Sequence, residues 1–360
     1  MTRRQQNTEQ RPVRLSLALV RDLSIVLTLA ILALYAGSGF LIPLALSFLT
    51  FVLITAVSDR VRDWVNAPVW LANLLGIVLV LAGLFAIMFV IGGQATQFAR
   101  AIGNYETAFD GAVTRMAALL GPEMMGFARD TLAGVDLSRL TRGAVGGATS
   151  ALNTFLLVSL YVAFLMAERR TLHHKMLLAA RDPQLGQDMA SVMDAISTSL
   201  QRYLGVKTII SLLTAGISYT VFRLLGLEFA ETWAVLTFAL NFIPSIGSIV
   251  AVIFPALVSL VQFDSVTPFL IIVFFCGTVQ FLIGNFLDPA MLGRSLNMSS
   301  FMVILSLTFW TVLWGLIGAF LSVPLTVCIL IVFSHIPAMR PLAILMSKDG
   351  SLSTEDEPQA

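Results

Sequence analysis

The sequence predicts an all-α integral membrane protein, a polytopic helical bundle with two broken or re-entrant helical hairpins. Three observations lead there. Of its 360 residues 57% are hydrophobic and only 12% are charged, against roughly 25% charged in ordinary soluble domains, and the mean hydropathy is +0.88. Apolar runs long enough to cross a bilayer, about 20 residues for a ~30 Å hydrocarbon core, follow one another along the chain. None of the long runs alternates with the period of a barrel strand, and in lipid every backbone group must be satisfied within its own segment, so helices are the credible form.

The apolar runs fall at 15–36, 40–57, 69–93, 146–167, 203–227, 232–263, 266–287 and 299–334. Ahead of them stands a polar tail, 1–14, expected in the cytoplasm. Arg3, Arg4, Arg11, Arg14 and Arg21 precede the first span, Arg60 and Arg62 follow the second, and Arg169, Arg170, Lys175 and Arg181 follow the fourth; basic residues mark the inner side. A secretory signal is rejected because Arg21-Asp22 interrupts the first run and a second run follows at once. Residues 15–93 are expected to hold the first three spans.

Segment 94–145 should then lie on the extracytoplasmic side as an amphipathic helical segment. Phe98, Ile102, Tyr105, Phe109, Ala112, Met116 and Leu119 recur at steps of three and four before a break at Gly121-Pro122. Such a face must be buried, against the membrane, a neighbouring subunit or, preferably, its own protein. After the span at 146–167 comes 168–202, a cytoplasmic amphipathic connector in which Leu185, Met189, Val192, Met193 and Ile196 face one way. Residues 203–345 form a C-terminal transmembrane region with broken helices, and 346–360 a disordered cytoplasmic tail.

Two runs are too long for one crossing. As straight helices 232–263 and 299–334 would extend roughly 48 and 54 Å. Each carries helix-weakening residues near its middle, Pro244 and Gly247 in the first, Gly315 and Gly318 in the second, with Pro255 and Pro324 beyond. Each is read as two short helices joined by a break, either a re-entrant hairpin, the favoured form, or a kinked single span. Hairpins would put Arg294 inside, single spans outside. Freed backbone groups at membrane depth are tolerated only where protein or a water-filled cavity surrounds them, and in transporters such breaks supply solute sites. Asn241, Ser245 and Ser248 are therefore candidates to line a polar pocket.

Three stretches carry a resemblance: NFIPSIGSIVAVIFPAL at 241–257, VQFLIGNFLDPAMLGRSL at 279–296 and WTVLWGLIGAFLSVPLTV at 310–327. Together the region resembles the AI-2E (autoinducer-2 exporter-like, PerM-type) transporter family. The resemblance implies a multi-spanning bacterial inner-membrane permease that exports a small polar solute such as autoinducer-2, with sodium/proton antiport as an alternative. It assigns the family's motifs to Asn241, Pro244 and Gly247, to Pro289 and Gly293, and to Trp314, Gly315, Gly318 and Pro324. Where many relatives have an acidic residue this chain has Ile283, which puts ion coupling there in doubt.

Ionisable residues inside the runs are functional candidates by default, and they are scarce. Arg223, Glu228 and Glu231 fall at or beyond the end of the fifth span, Asp264 lies in a short connection, and Asp288 precedes Pro289 at a position suited to a turn. Asp288 and Arg294 flank the expected Pro289–Gly293 loop and could form a gate. Gln280 and Asn285 are further solute-binding candidates, but five residues apart they do not share a line on an α-helix. Cys276 and Cys328 sit in apolar runs and are read as small buried hydrophobes.

No nucleophile elbow, zinc-protease or Walker signature is present, and His173-His174 sit in a basic surface stretch. No enzyme activity, metal or cofactor is expected, and transport would be passive or gradient-driven. The partners expected are a small-molecule solute, the lipid bilayer and further copies of the chain in a homo-oligomer of open order, a pentamer included; a net charge of +1 suggests no nucleic acid. A membrane scaffold or regulator acting through the amphipathic segments is the alternative from a different class.

Overall fold

The computed structural model describes residues 17–92, 137–179, 182–292 and 297–351. Their regular structure is helical, with one isolated antiparallel bridge, Met298 to Ser347. Helix α1 (Leu17–Ala36) and α2 (Ser38–Val65) are separated by Gly37 alone. Asn66 ends α2 in the left-handed region at φ 50°, after which α3 (Val69–Gly92) begins. Helix α4 is Leu137–Ala179 and α5 is Pro183–Leu225.

Two expectations need correction here. The second span does not stop at 57 but runs on to Val65. The connector at 168–202 is not a separate element: its last part and the span after it form the single helix α5, about 65 Å long at 1.5 Å per residue. The local chemistry explains this. Asp182 caps the helix by accepting from the Gln184 amide, Pro183 takes the first turn where its missing N–H costs nothing, and no proline follows until Gly226 closes the helix at φ 71°. Along its amphipathic start, Ile196 is buried while Leu185 and Met189 stay exposed.

Helix α5 is the hub. It packs against α2 and α4 and, further along the chain, against the helices at Ala230–Leu240, 267–292 and Ser300–His335. The main core joins Leu49 and Val52 of α2, Leu200, Tyr203 and Leu204 of α5, and Trp310, Leu321 and Val327 further on. On the periphery α1 and α3 expose Ile25, Val26, Leu29, Val78, Leu79 and Phe89. In water such apolar faces would mark a sticky surface; against acyl chains they carry no penalty. Among the described residues six helices are long and apolar enough to cross a membrane.

Both overlong runs are hairpins. The first is α6 (Ala230–Leu240) and α7 (Ile246–Gln262), which pack on each other. The Gln262 side chain accepts from the Glu228 amide and donates to the Gly226 carbonyl, both at 2.8 Å, so entry and exit lie side by side. At the tip a Cβ on Gly247 would lie 1.8 Å from the Leu240 carbonyl oxygen, so only glycine permits this return. Ser245 sits at φ 60°, ψ −52°, with the Ile246 amide donating to the Pro244 carbonyl at 2.6 Å. That is a γ-turn of the sterically unfavourable hand, which is rare and strained.

Residues 267–292 form one continuous helix, α8, with π-helical turns at Ile272–Cys276 and Ile283–Leu287. The turn expected at Asp288-Pro289 is absent: both residues lie in its last segment, Asp288–Leu292. A π turn shifts the carbonyl ladder by one residue, which eases the clash a proline would otherwise make with the preceding turn. Gly293 and Arg294 lie outside the described residues, as do the tail 1–14 and most of the segment 94–145 and of the C-terminal tail.

The second hairpin is α9 (Ser300–His335), broken at Gly315, whose φ of 61° and ψ of −142° suit glycine alone. The Trp310 indole donates to Thr326 Oγ1 at 3.2 Å. In an unbroken helix those residues would be about 24 Å apart. Gly318 closes the return, since a Cβ there would lie 1.9 Å from the Trp310 carbonyl oxygen. Hence Ser300–His335, although long enough to cross, is not one rod. A short helix α10 (Arg340–Met346) brings the chain back, and the Ser299 amide donates to the Met346 carbonyl at 3.0 Å. The two tips meet, with Phe242 against Phe320 and Ile243 among Leu307 and Ala319.

Candidate functional site

Helix α5 carries a stripe of polar groups through the interior. Tyr203, Lys207, Ser211, Thr214 and Ser218 follow one another at steps of four, four, three and four, and all are buried. That spacing keeps them on one helical face. Thr214 satisfies its hydroxyl on the Ile210 carbonyl of its own helix. The others look outward to the first hairpin and α8.

Lys207 is the centre of the arrangement. Its Nζ donates to Asp288 Oδ2 at 2.5 Å and to the Asn241 carbonyl at 3.4 Å, with side-chain exposures of 9% for Lys207 and 17% for Asp288. Asn241 is held at its other end as well, its Nδ2 donating to Ser211 Oγ at 3.1 Å. The hairpin break is thus pinned to α5 by its carbonyl and by its side chain. The paired charges offset one another, as burial requires.

Around them lies a cavity of about 670 Å³. Asn241, Pro244, Ser245 and Ser248 border it from the first hairpin, Tyr203 and Lys207 from α5, and Gln280, Asn285 and Asp288 from α8. Lys207 and Asp288 are the only charged residues among the described ones that line it. Four buried polar atoms of lining residues have no hydrogen-bond partner among the described residues: both amide atoms of Gln280, the Tyr203 hydroxyl and Asp288 Oδ1. Buried polar atoms nearly always have partners, so such a cluster calls for water or a solute.

Gln280 and Asn285, five residues apart and not on one helical line, both border the cavity, whose other walls come from α5 and the first hairpin. They belong to one stripe of α8, with Gly277, Phe281, Gly284 and Asp288 at helical steps of three and four, and the π turn at Ile283–Leu287, closed from the Asp288 amide to the Ile283 carbonyl five residues back, falls within it. Asn285 also donates to the Phe281 carbonyl at 2.9 Å. π turns often mark functional positions because they realign a helix face without breaking it. Ile283 is buried but does not border the cavity; the acid that does is Asp288.

The remaining candidates separate from this group. Gly247 lies under the tip and forms the turn. Gly315, Gly318 and Pro324 shape the second hairpin and do not line the cavity, to which that hairpin contributes Val303 and Val323. Pro289 lies in α8 beside Asp288 but is not part of the lining. Trp310 and Trp314 border a different space, about 500 Å³ and apolar, with Leu34, Phe48 and Cys328; the Trp314 indole donates to the Leu34 carbonyl at 3.0 Å. Sequence reasoning missed Lys207 and Tyr203. The signal was available: a lysine four residues into an apolar run, followed by serine and threonine at helical steps.

Residues 23–338 match the family model described as AI-2E family transporter. A protein of Borreliella burgdorferi, provisionally assigned to transport, is 35% identical over 60% of this chain and 59% of its own length. YhhT of Escherichia coli, also provisionally a transport protein, is 30% identical over 86% of this chain and 87% of its own. TqsA of the same species, an AI-2 transport protein, is 28% identical over 85% and 89%.

Proposed function

This chain belongs to the AI-2E transporter family, a multi-pass membrane transporter of a small-molecule solute, and we propose that it is a passive or gradient-driven permease whose small polar solute binds in the cavity between α5, the first hairpin and α8. The cluster of unpartnered polar atoms on Gln280, Tyr203 and Asp288 carries the reading. In this proposal Asn241, Ser245, Ser248, Gln280 and Asn285 contact the solute. Pro244, Gly247 and the strained Ser245 turn shape the tip, and Asp288 with Lys207 holds α8 to the hub. The name of TqsA makes autoinducer-2 the first solute to try. Export across a bacterial inner membrane, both termini in the cytoplasm and assembly into a homo-oligomer belong to the same proposal.

Single cysteines at 241, 245, 248 and 280, in a background without Cys276 and Cys328, test it. Water-soluble thiol reagents should label them, and added solute should protect them. Inert cysteines at all four positions, with the variants folded, would overturn the reading. Flux of autoinducer-2 into proteoliposomes, with and without a proton or sodium gradient, tests the solute and its coupling. Labelling Ser295→Cys from each side tests topology, with reaction from the cytoplasmic side expected.

A further inference from the structure

We infer that Lys207 is a built-in counter-ion that reserves the cavity for uncharged, hydrogen-bonding solutes, and that removing it converts Asp288 into a site for a small monovalent cation. The solute half of this inference rests on the transport reading above; the cation half does not.

The wall of the cavity is electrically balanced. Among the described lining residues its only charges are one ammonium and one carboxylate, in direct contact. A charged solute entering this space would shed water without meeting an uncompensated opposite charge, which makes ion entry costly. The unpartnered polar atoms of the lining residues are of another kind. Asp288 Oδ1 and Gln280 Oε1 accept, Gln280 Nε2 donates, and the Tyr203 hydroxyl does either. Mixed donors and acceptors suit hydroxyl, carbonyl or amide groups. A buried amide left unpartnered discriminates strongly against a solute lacking such groups.

The position of the ammonium argues the second half. Lys207 Nζ lies where two oxygens converge, Asp288 Oδ2 at 2.5 Å and the Asn241 carbonyl at 3.4 Å. The carbonyl cannot easily turn away, because Asn241 is also tied to Ser211 through its side chain. With the ammonium gone, a carboxylate and a fixed carbonyl would face an empty, largely buried point. Oxygen ligands of this sort hold hard cations. Lysine, rather than a mobile ion, fills the position in this chain, and so the pair can stay neutral while solute comes and goes.

The test uses the full-length protein in detergent, with thermal unfolding followed in sodium chloride against choline chloride at equal ionic strength. The wild type and the double variant Lys207→Gln/Asp288→Asn should unfold at the same temperature in both salts. Lys207→Gln alone should unfold at lower temperature in choline and recover by several degrees in sodium, with saturation, since binding to the folded state alone stabilises it. A sodium response of the wild type that disappears in Asp288→Asn overturns the inference, as does a folded Lys207→Gln without one. Should Lys207→Gln not fold, Asp288→Asn carries the test: its bare ammonium should respond to chloride against gluconate, and no response overturns the inference. If neither variant folds, the pair is structural and the counter-ion role fails. Uptake of radiolabelled ribose into proteoliposomes reads the solute half separately. Sodium stabilisation confined to Lys207→Gln, without ribose flux in the wild type, would keep the counter-ion and count against the transport reading for uncharged polyols.

Discussion

The two hairpins solve one problem with different chemistry. Each reverses inside an apolar run, and each depends on a glycine whose missing side chain lets a carbonyl pass within 2 Å of where Cβ would be, Gly247 under Leu240 and Gly318 under Trp310. Their surroundings differ. The first tip places Asn241, Ser245 and Ser248 against a polar cavity and a buried ion pair. The second exposes Val312 and Leu316 at 76% and 70% and satisfies its indoles internally, on Thr326 and Leu34. A break in a membrane helix therefore does not by itself create a polar cavity. What creates one here is polar residues at the break together with a helix opposite that offers matching groups.

That contrast can be broken at several points. The largest effect is expected for Lys207→Met, which strands Asp288 and should cost about 3–5 kcal/mol in thermal or denaturant unfolding. The apolar double Lys207→Met/Asp288→Leu should regain most of it while flux stays lost; a double no more stable than the single would mean that the pair is not the source of the cost. Next, Gly247→Ala and Gly318→Ala should each destabilise by about 1–3 kcal/mol through forced backbone displacement. Parity between them is the point, and a tolerated Gly318→Ala would show that the second return is looser than its geometry implies.

Asn241→Ala and Trp310→Phe sharpen the comparison. Each removes a buried donor at one tip, worth about 1 kcal/mol, so their effects on stability should be similar. Only Asn241→Ala should lower solute flux in proteoliposomes. Equal loss of flux in both would merge the two hairpins functionally. The smallest change is expected for Ser245→Gly, which relieves the positive φ and should raise stability by about 1 kcal/mol, visible as a small upward shift in unfolding temperature.

Much of this was legible in the chain. The membrane class, the helical form and the two interruptions follow from local composition, and Asn241, Ser245, Gln280, Asn285 and Asp288 stand out as polar residues in apolar runs. The missed parts have physical causes. Lys207 sits near the start of the run at 203, where a lysine passes for an interfacial group, and its burial comes from the first hairpin and α8 packed beside it. That Gln280 and Asn285 border one cavity depends on α5 and the first hairpin closing over the opposite side, at a sequence distance no local pattern reports. Gly315 and Gly318 were legible as a helix break, but the small-residue pattern of a break does not say whether polar partners meet it.

The sequence alone determined that this chain lives in lipid, crosses it as helices and snaps twice within overlong runs, because these outcomes depend on hydropathy, proline and glycine over a few neighbouring residues. Only the tertiary structure decided which break meets polar partners. Lys207 and Asp288 stand 81 positions apart and Asn241 lies 34 beyond Lys207, and no local preference can choose among partners at that range; packing around α5 brings them together.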